Sequence, residues 1–171
     1  VCSWLRRWLK YQVRIGSHGL VVFDIDNTLI DTEHNPIDAV IQVYTFAQSI
    51  GLLCAIVTAR PETIENRDVT IAMLHKHGIS GWESLYMMPS RYTISAEGVS
   101  IYKREARDDI ESRHRILANI GDMWHDIVRI PLCGALRVLD PLRDNACAVL
   151  FPVMSHGEVA VKLTPSNAKP T

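Results

Sequence analysis

Residues 20–23 form an unbroken apolar run, Leu-Val-Val-Phe, and the chain then turns at once to Asp24-Ile25-Asp26-Asn27-Thr28. A short apolar run bounded by polar residues suits a strand covered on both faces. The same texture recurs, and the pattern predicts strands over 20–25, 52–57, 84–88, 116–120 and 147–153. Between them the period lengthens to that of helices. Trp4, Leu5, Trp8, Leu9, Gln12 and Val13 predict an N-terminal amphipathic helix with Arg6, Arg7 and Lys10 on its other faces. Its expected role is packing against the domain rather than lying on a membrane surface. Asn35-Pro36 reads as the cap and first-turn proline of a helix over 37–49 that stops at Gly51, and 63–77 reads as a second helix stopped by Gly78. Residues 92–102, YTISAEGVSIY, read as a hairpin about Glu97-Gly98, and 103–114 as a charged helix. Repeated strand-helix-strand units predict an α/β fold: a Rossmann-like three-layer sandwich with a mainly parallel sheet wrapped by helices.

Composition narrows the class without naming a partner. The chain has 171 residues, 47% of them hydrophobic and 22% charged, with a formal net charge of -1, as expected of a globular domain and not of a disordered or strongly nucleic-acid-binding one. The expected organisation is a helical segment over 1–18, a catalytic domain over 19–163 and a tail over 164–171. No apolar run approaches the roughly 20 residues that span a bilayer. The N-terminus lacks the apolar core of a signal peptide, so the expected compartment is the cytoplasm, although the first residue is Val and an address carried upstream would be out of view. Cysteines at 2, 54, 133 and 147 show no paired spacing that would suggest zinc, and Cys54 and Cys147 lie in apolar runs as core residues.

Chemistry enters at the strand ends, because a parallel sheet places its ligand site beyond the carboxyl ends of its strands. Strand 20–25 leads into Asp24, Asp26 and Thr28, strand 52–57 into Thr58-Ala59-Arg60, and strand 116–120 into Gly121-Asp122 with Asp126 following. Carboxylates gathered on one edge repel one another unless a hard cation neutralises them, and an oxygen-only set with no His or Cys suits Mg2+. Singly, each residue has a plainer role as a turn cap or a solvated surface charge. His75, Lys76 and His77 suit a helix C-terminus, His125 a structural place, and Arg104, Arg107, Arg113 and Arg115 a solvated helix face.

In order and spacing, D24-I-D26-N-T28, T58-A-R60, K103 ahead of R107 and G121-D122-M-W-H-D126 resemble the haloacid dehalogenase-like (HAD) superfamily over about residues 20–163. The stretch YKREARDDIESRHRILANIGDMWHDI is most similar to the subgroup of class B acid phosphatases and plant acid-phosphatase-like storage proteins. The resemblance implies a phosphoric monoester hydrolase. Asp24 would be the nucleophile that forms an aspartyl-phosphate, and Asp26 the acid and base. Thr58, Arg60 and Lys103 would bind the phosphoryl group. The metal ligands would be Asp24, Asp26 through its carbonyl, Asp122 and Asp126. Asn27 stands where many relatives have glycine. The intervals 29–36 and 61–102 leave room for little or no cap domain, so the site is expected to be open. The expected partner is a phosphorylated small molecule or an exposed phosphoester on a macromolecule, with the oligomeric state undetermined. A polynucleotide 3′-phosphatase and a non-catalytic storage or binding protein on the same scaffold are the alternatives.

Overall fold

The structure, a computed structural model, describes residues 2–16, 18–127, 147–150 and 162–164. Its elements run α1 (Cys2–Arg14), β1 (Leu20–Phe23), α2 (Asp38–Ser49), β2 (Leu53–Pro61), α3 (Ile64–Lys76), β3 (Ser84–Met88), α4 (Ala96–Glu111), β4 (Ile116–Gly121), α5 (Trp124–Ile127), β5 (Cys147–Leu150) and β6 (Lys162–Thr164). The sheet order is β3-β2-β1-β4-β5-β6; β1 to β5 are parallel and β6 is antiparallel to β5. The chain therefore winds outward from β1 through β2 to β3, then restarts on the other side of β1 at β4. Such a reversal opens a crevice at the carboxyl ends of the two central strands.

The apolar runs are continuous because both faces of the sheet are covered. Val21 and Phe23 of β1, with Cys54 and Ile56 of β2, pack beneath α1, α2 and α3 among Leu5, Leu9, Val43, Tyr44 and Leu74. Leu20, Val22, Ala55 and Val57 point the other way, against Tyr102, Ala106 and Ile110 of α4. Leu5 and Leu9 are fully buried, with Trp4 and Trp8 packed beside them, so α1 is part of the core as expected. Cys54 is a fully buried free thiol, and burial pushes it up to about 12. No helix among the described residues is long and apolar enough to cross a membrane.

Two local expectations are corrected. The segment 92–102 is not a hairpin: Ser95 caps α4, its hydroxyl accepting from the Gly98 amide at 3.0 Å, and the helix runs on unbroken through 103–111. Gly98 signals close approach rather than a turn, since a Cβ there would stand 2.1 Å from the Thr93 carbonyl oxygen. Nor does Asn35 cap α2. The N-cap is Ile37, with no side-chain cap bond, while Asn35 donates its amide to Asp31 Oδ1 at 2.8 Å and Pro36 pairs with Ile30. A carboxylate four residues upstream closes a turn of its own and takes Asn35 out of capping position. Of the predicted strand 147–153, residues 151–153 lie outside the described residues, as does the predicted tail beyond Thr164.

Candidate active site

The amide of Asp24, the first residue beyond β1, donates to the Ile120 carbonyl of β4 at 2.9 Å, which seats its side chain in the crevice between these strands. The chain then coils tightly. The Ile25 carbonyl accepts from the amides of Thr28, Leu29 and Ile30 at 3.2, 2.8 and 3.0 Å, and Asn27 takes a left-handed conformation with φ 56°. Asn is among the few side chains enriched there, which gives physical sense to asparagine where glycine is common. This coil sends the two aspartates apart. Asp24 is 4% exposed, whereas the Asp26 side chain is 53% exposed.

Opposite Asp24, α4 delivers Lys103, itself only 3% exposed, whose Nζ donates to Asp24 Oδ1 at 2.6 Å and also pairs with Asp126 Oδ1. At the end of β4, Gly121 lets the chain fold back on itself: a Cβ there would lie 2.2 Å from that of Asp126. Asp126 Oδ2 accepts from the Met123 amide at 2.9 Å, fixing the turn into α5. Asp24, Asp122 and Asp126 are all buried and can offer oxygens within 4.8 Å of one another. Burial raises Asp24 well above the ordinary carboxylate range; Lys103 opposes this, and the charges of Asp126 and Asp26 add to it. Burial and then the Asp126 charge raise Asp122 to about 6, against its own amide, Lys103 and Asn27. Burial alone would lower Lys103, but Asp24 and Asp126 outweigh it and hold the ammonium charged. Carboxylates that resist ionisation beside a single ammonium form an oxygen-only set suited to a hard cation.

Asp26, Thr58 and Arg60 meet at the exposed side. Arg60 donates to Asp26 through Nε at 3.0 and 3.2 Å and through Nη2 at 2.6 Å, and the buried Thr58 hydroxyl lies 3.5 Å from Asp26 Oδ2. The Arg60 amide also donates to Thr58 Oγ1 at 3.3 Å. The carboxylate of Asp26 is thus outside the three-carboxylate group, and only its backbone carbonyl is left to the metal role expected of it. Arg107 departs from expectation. It is 2% exposed rather than solvated, and its Nη1 donates to the carbonyls of His125 and Asp126, both at 3.0 Å. Its spacing of four from Lys103 carried the signal, since positions i and i+4 share a helix face. Burial lowers the His125 imidazole, whose Nε2 lies 3.7 Å from Asp126 Oδ1.

Residues 31–136 match the model of the HAD superfamily, subfamily IIIB (acid phosphatase), and the chain belongs to that family. The matched segment carries Thr58, Arg60, Lys103, Arg107, Asp122 and Asp126; Asp24 and Asp26 lie just ahead of it and reach the same crevice through β1. No curated protein matches the chain.

Proposed function

We propose that this chain is a Mg2+-dependent phosphatase that hydrolyses phosphate monoesters through an aspartyl-phosphate on Asp24. The observation that supports this best is the setting of Asp24: a buried carboxylate at the switch point of the sheet, with Lys103 Nζ at 2.6 Å and Asp122 and Asp126 close enough to share a cation with it. Those three carboxylates and the Asp26 carbonyl would hold Mg2+, which when bound supplies charge neutralisation at the nucleophile and the phosphoryl oxygens.

A carboxylate oxygen of Asp24 attacks phosphorus as the bond to the leaving oxygen breaks, and Asp26 gives that oxygen a proton. Water then attacks the phosphorus of the aspartyl-phosphate, losing its proton to Asp26, and the phosphorus bond to Asp24 breaks to release inorganic phosphate. Lys103 keeps one oxygen of Asp24 fixed throughout. Thr58 and Arg60 stand beside Asp26, where they can receive phosphoryl oxygens. Between β2 and α4 the chain is taken up by α3, β3 and the connection 89–95, with no cap domain inserted there, which favours a bulky phosphoester as substrate.

Rapid-quench trapping of acid-stable protein-bound phosphate from an aryl phosphate tests this reading. Asp24→Asn should show no turnover and no trapped phosphate, because an amide cannot serve as the nucleophile. Asp26→Asn should accumulate the intermediate, since an activated aryl leaving group scarcely needs the acid but hydrolysis still needs the base. Wild-type turnover by Asp24→Asn would end the proposal. Nucleotides, phosphopeptides and 3′-phosphorylated oligonucleotides, assayed with and without chelator, would sort the substrate class.

A further inference from the structure

We propose that Arg107 is a positioning residue that sets the affinity of the three-carboxylate group for its cation by holding the backbone that carries Asp126. The inference rests on the magnesium reading above. Asp126 is the ligand with the least support of its own: Asp24 is tied to β4 by its amide and Asp122 directly follows β4, whereas Asp126 belongs to a helix of a single turn. That turn is gripped from α4 at two levels. Lys103 takes the Asp126 carboxylate, and Arg107, one helical turn further along the same face, takes the carbonyls of both Asp126 and His125.

Asp126 sits where small movements are costly. Its Cβ faces Gly121 across a gap too small for another carbon, so the turn cannot move closer to the end of β4 and any shift opens the carboxylate group. Without the Arg107 donors the two carbonyls would lose the buried bonds that oppose this shift, and a buried acceptor left unpaired drives rearrangement toward water. Lys103 cannot replace Arg107, because its ammonium is engaged with Asp24 and the Asp126 side chain. A lysine at 107 keeps the charge but not the reach or the planar donor group.

The test is isothermal titration of wild type, Arg107→Met and Arg107→Lys with magnesium chloride, with circular dichroism to establish folding and activation curves on an aryl phosphate. Arg107→Met should bind Mg2+ about tenfold or more weakly, the usual cost of removing a residue that orients a ligand, and Arg107→Lys should fall between it and wild type. The magnesium needed for half-activation should rise by the same factor, while KM for the ester at saturating magnesium stays at the wild-type value. A structural role alone would lower the unfolding temperature and leave magnesium affinity untouched. Wild-type affinity in folded Arg107→Met overturns the inference, as does wild-type affinity in Arg107→Lys should the methionine variant not fold. Failure of the wild type itself to bind magnesium would overturn the reading beneath it and this inference with it.

Discussion

Gly121 has no side chain because Asp126 occupies the place where one would stand, with its Cβ, Cγ and Oδ2 at 2.2, 2.5 and 2.5 Å from an added methyl. Gly121→Ala must therefore push the third carboxylate out of the group. Turnover at fixed magnesium should fall on the order of a hundredfold, the loss that follows displacement of a catalytic group by about 1 Å. A circular dichroism spectrum like that of wild type should accompany the loss, and kinetics within error of wild type would show that the turn yields without consequence. At this scale the chain is legible where chemistry restricts the residue type. Asp24, Asp122 and Lys103 stand out because buried carboxylates and amines are rare without a shared purpose. Arg107 was assigned to solvent because a run rich in charge, KREARDD, reads as a solvated face until it is known which side of the helix meets α5. The carbonyls of His125 and Asp126 that it binds belong to the backbone, and every residue offers such a carbonyl, so no sequence pattern marks them.

Strands were legible to within a residue or two where burial dictated an unbroken apolar run, as at β3 and β4, whereas β2 continues four residues past its expected end, through the polar Thr58-Ala59-Arg60 to Pro61. The failures came where one signal has two physical causes. Glycine at 98 permits a turn and also permits close approach, and here the approach to Thr93 decides. Asparagine before proline caps helices and also closes turns, and here Asp31 captures it. The true start of α4 is testable. Ser95→Ala removes the acceptor of the Gly98 amide and should cost about 1 kcal/mol, read as a lower urea midpoint at constant slope. Were 92–102 a hairpin, that loss would not be expected. α1 gives a larger effect at the opposite end of the chain. Leu9 is fully buried beneath it, and Leu9→Ala should cost about 2–5 kcal/mol, whereas Arg7→Ala on the exposed face should leave the midpoint unchanged. Equal midpoints for the two variants would mean that α1 is not part of the core.

The whole molecule brings these scales together through charge. The sheet order puts Asp24 and Asp122 side by side at the carboxyl ends of β1 and β4, and folding buries both, so the fold itself has a proton balance that magnesium should reverse. Without a cation, the folded chain keeps a proton on Asp122 up to about pH 6 and on Asp24 well above its ordinary range, whereas the unfolded chain releases both near the ordinary carboxylate value of 3.8. Between about pH 4 and 6 the folded state therefore binds more protons than the unfolded state, and the free energy of unfolding falls as pH rises. For Asp122 the loss is at most on the order of 3 kcal/mol, and less to the extent that solvent screens the carboxylate, once its folded-state titration is passed. Asp31, Glu83 and Asp109 act in the opposite sense, because hydrogen bonds lower them, but their contributions are lost only on acidification below the ordinary carboxylate range. His125 opposes within the window itself, because burial lowers its imidazole and the unfolded chain keeps that proton up to about 6.5, so the comparison with Asp122→Asn, which shares His125, isolates the carboxylate. In excess chelator the melting temperature should thus decline from about pH 4 to pH 6 relative to that of Asp122→Asn. A bound cation favours ionised carboxylates, so the stabilisation from saturating magnesium should be small at the acid end of that range and largest at its upper end. Asp122→Asn carries no proton to lose, and its melting temperature in chelator should decline less with pH. Thermal melts of both proteins across this range, with and without magnesium, decide the matter: a magnesium increment independent of pH, or the same decline in Asp122→Asn, would mean that the buried carboxylates do not couple folding to the cation.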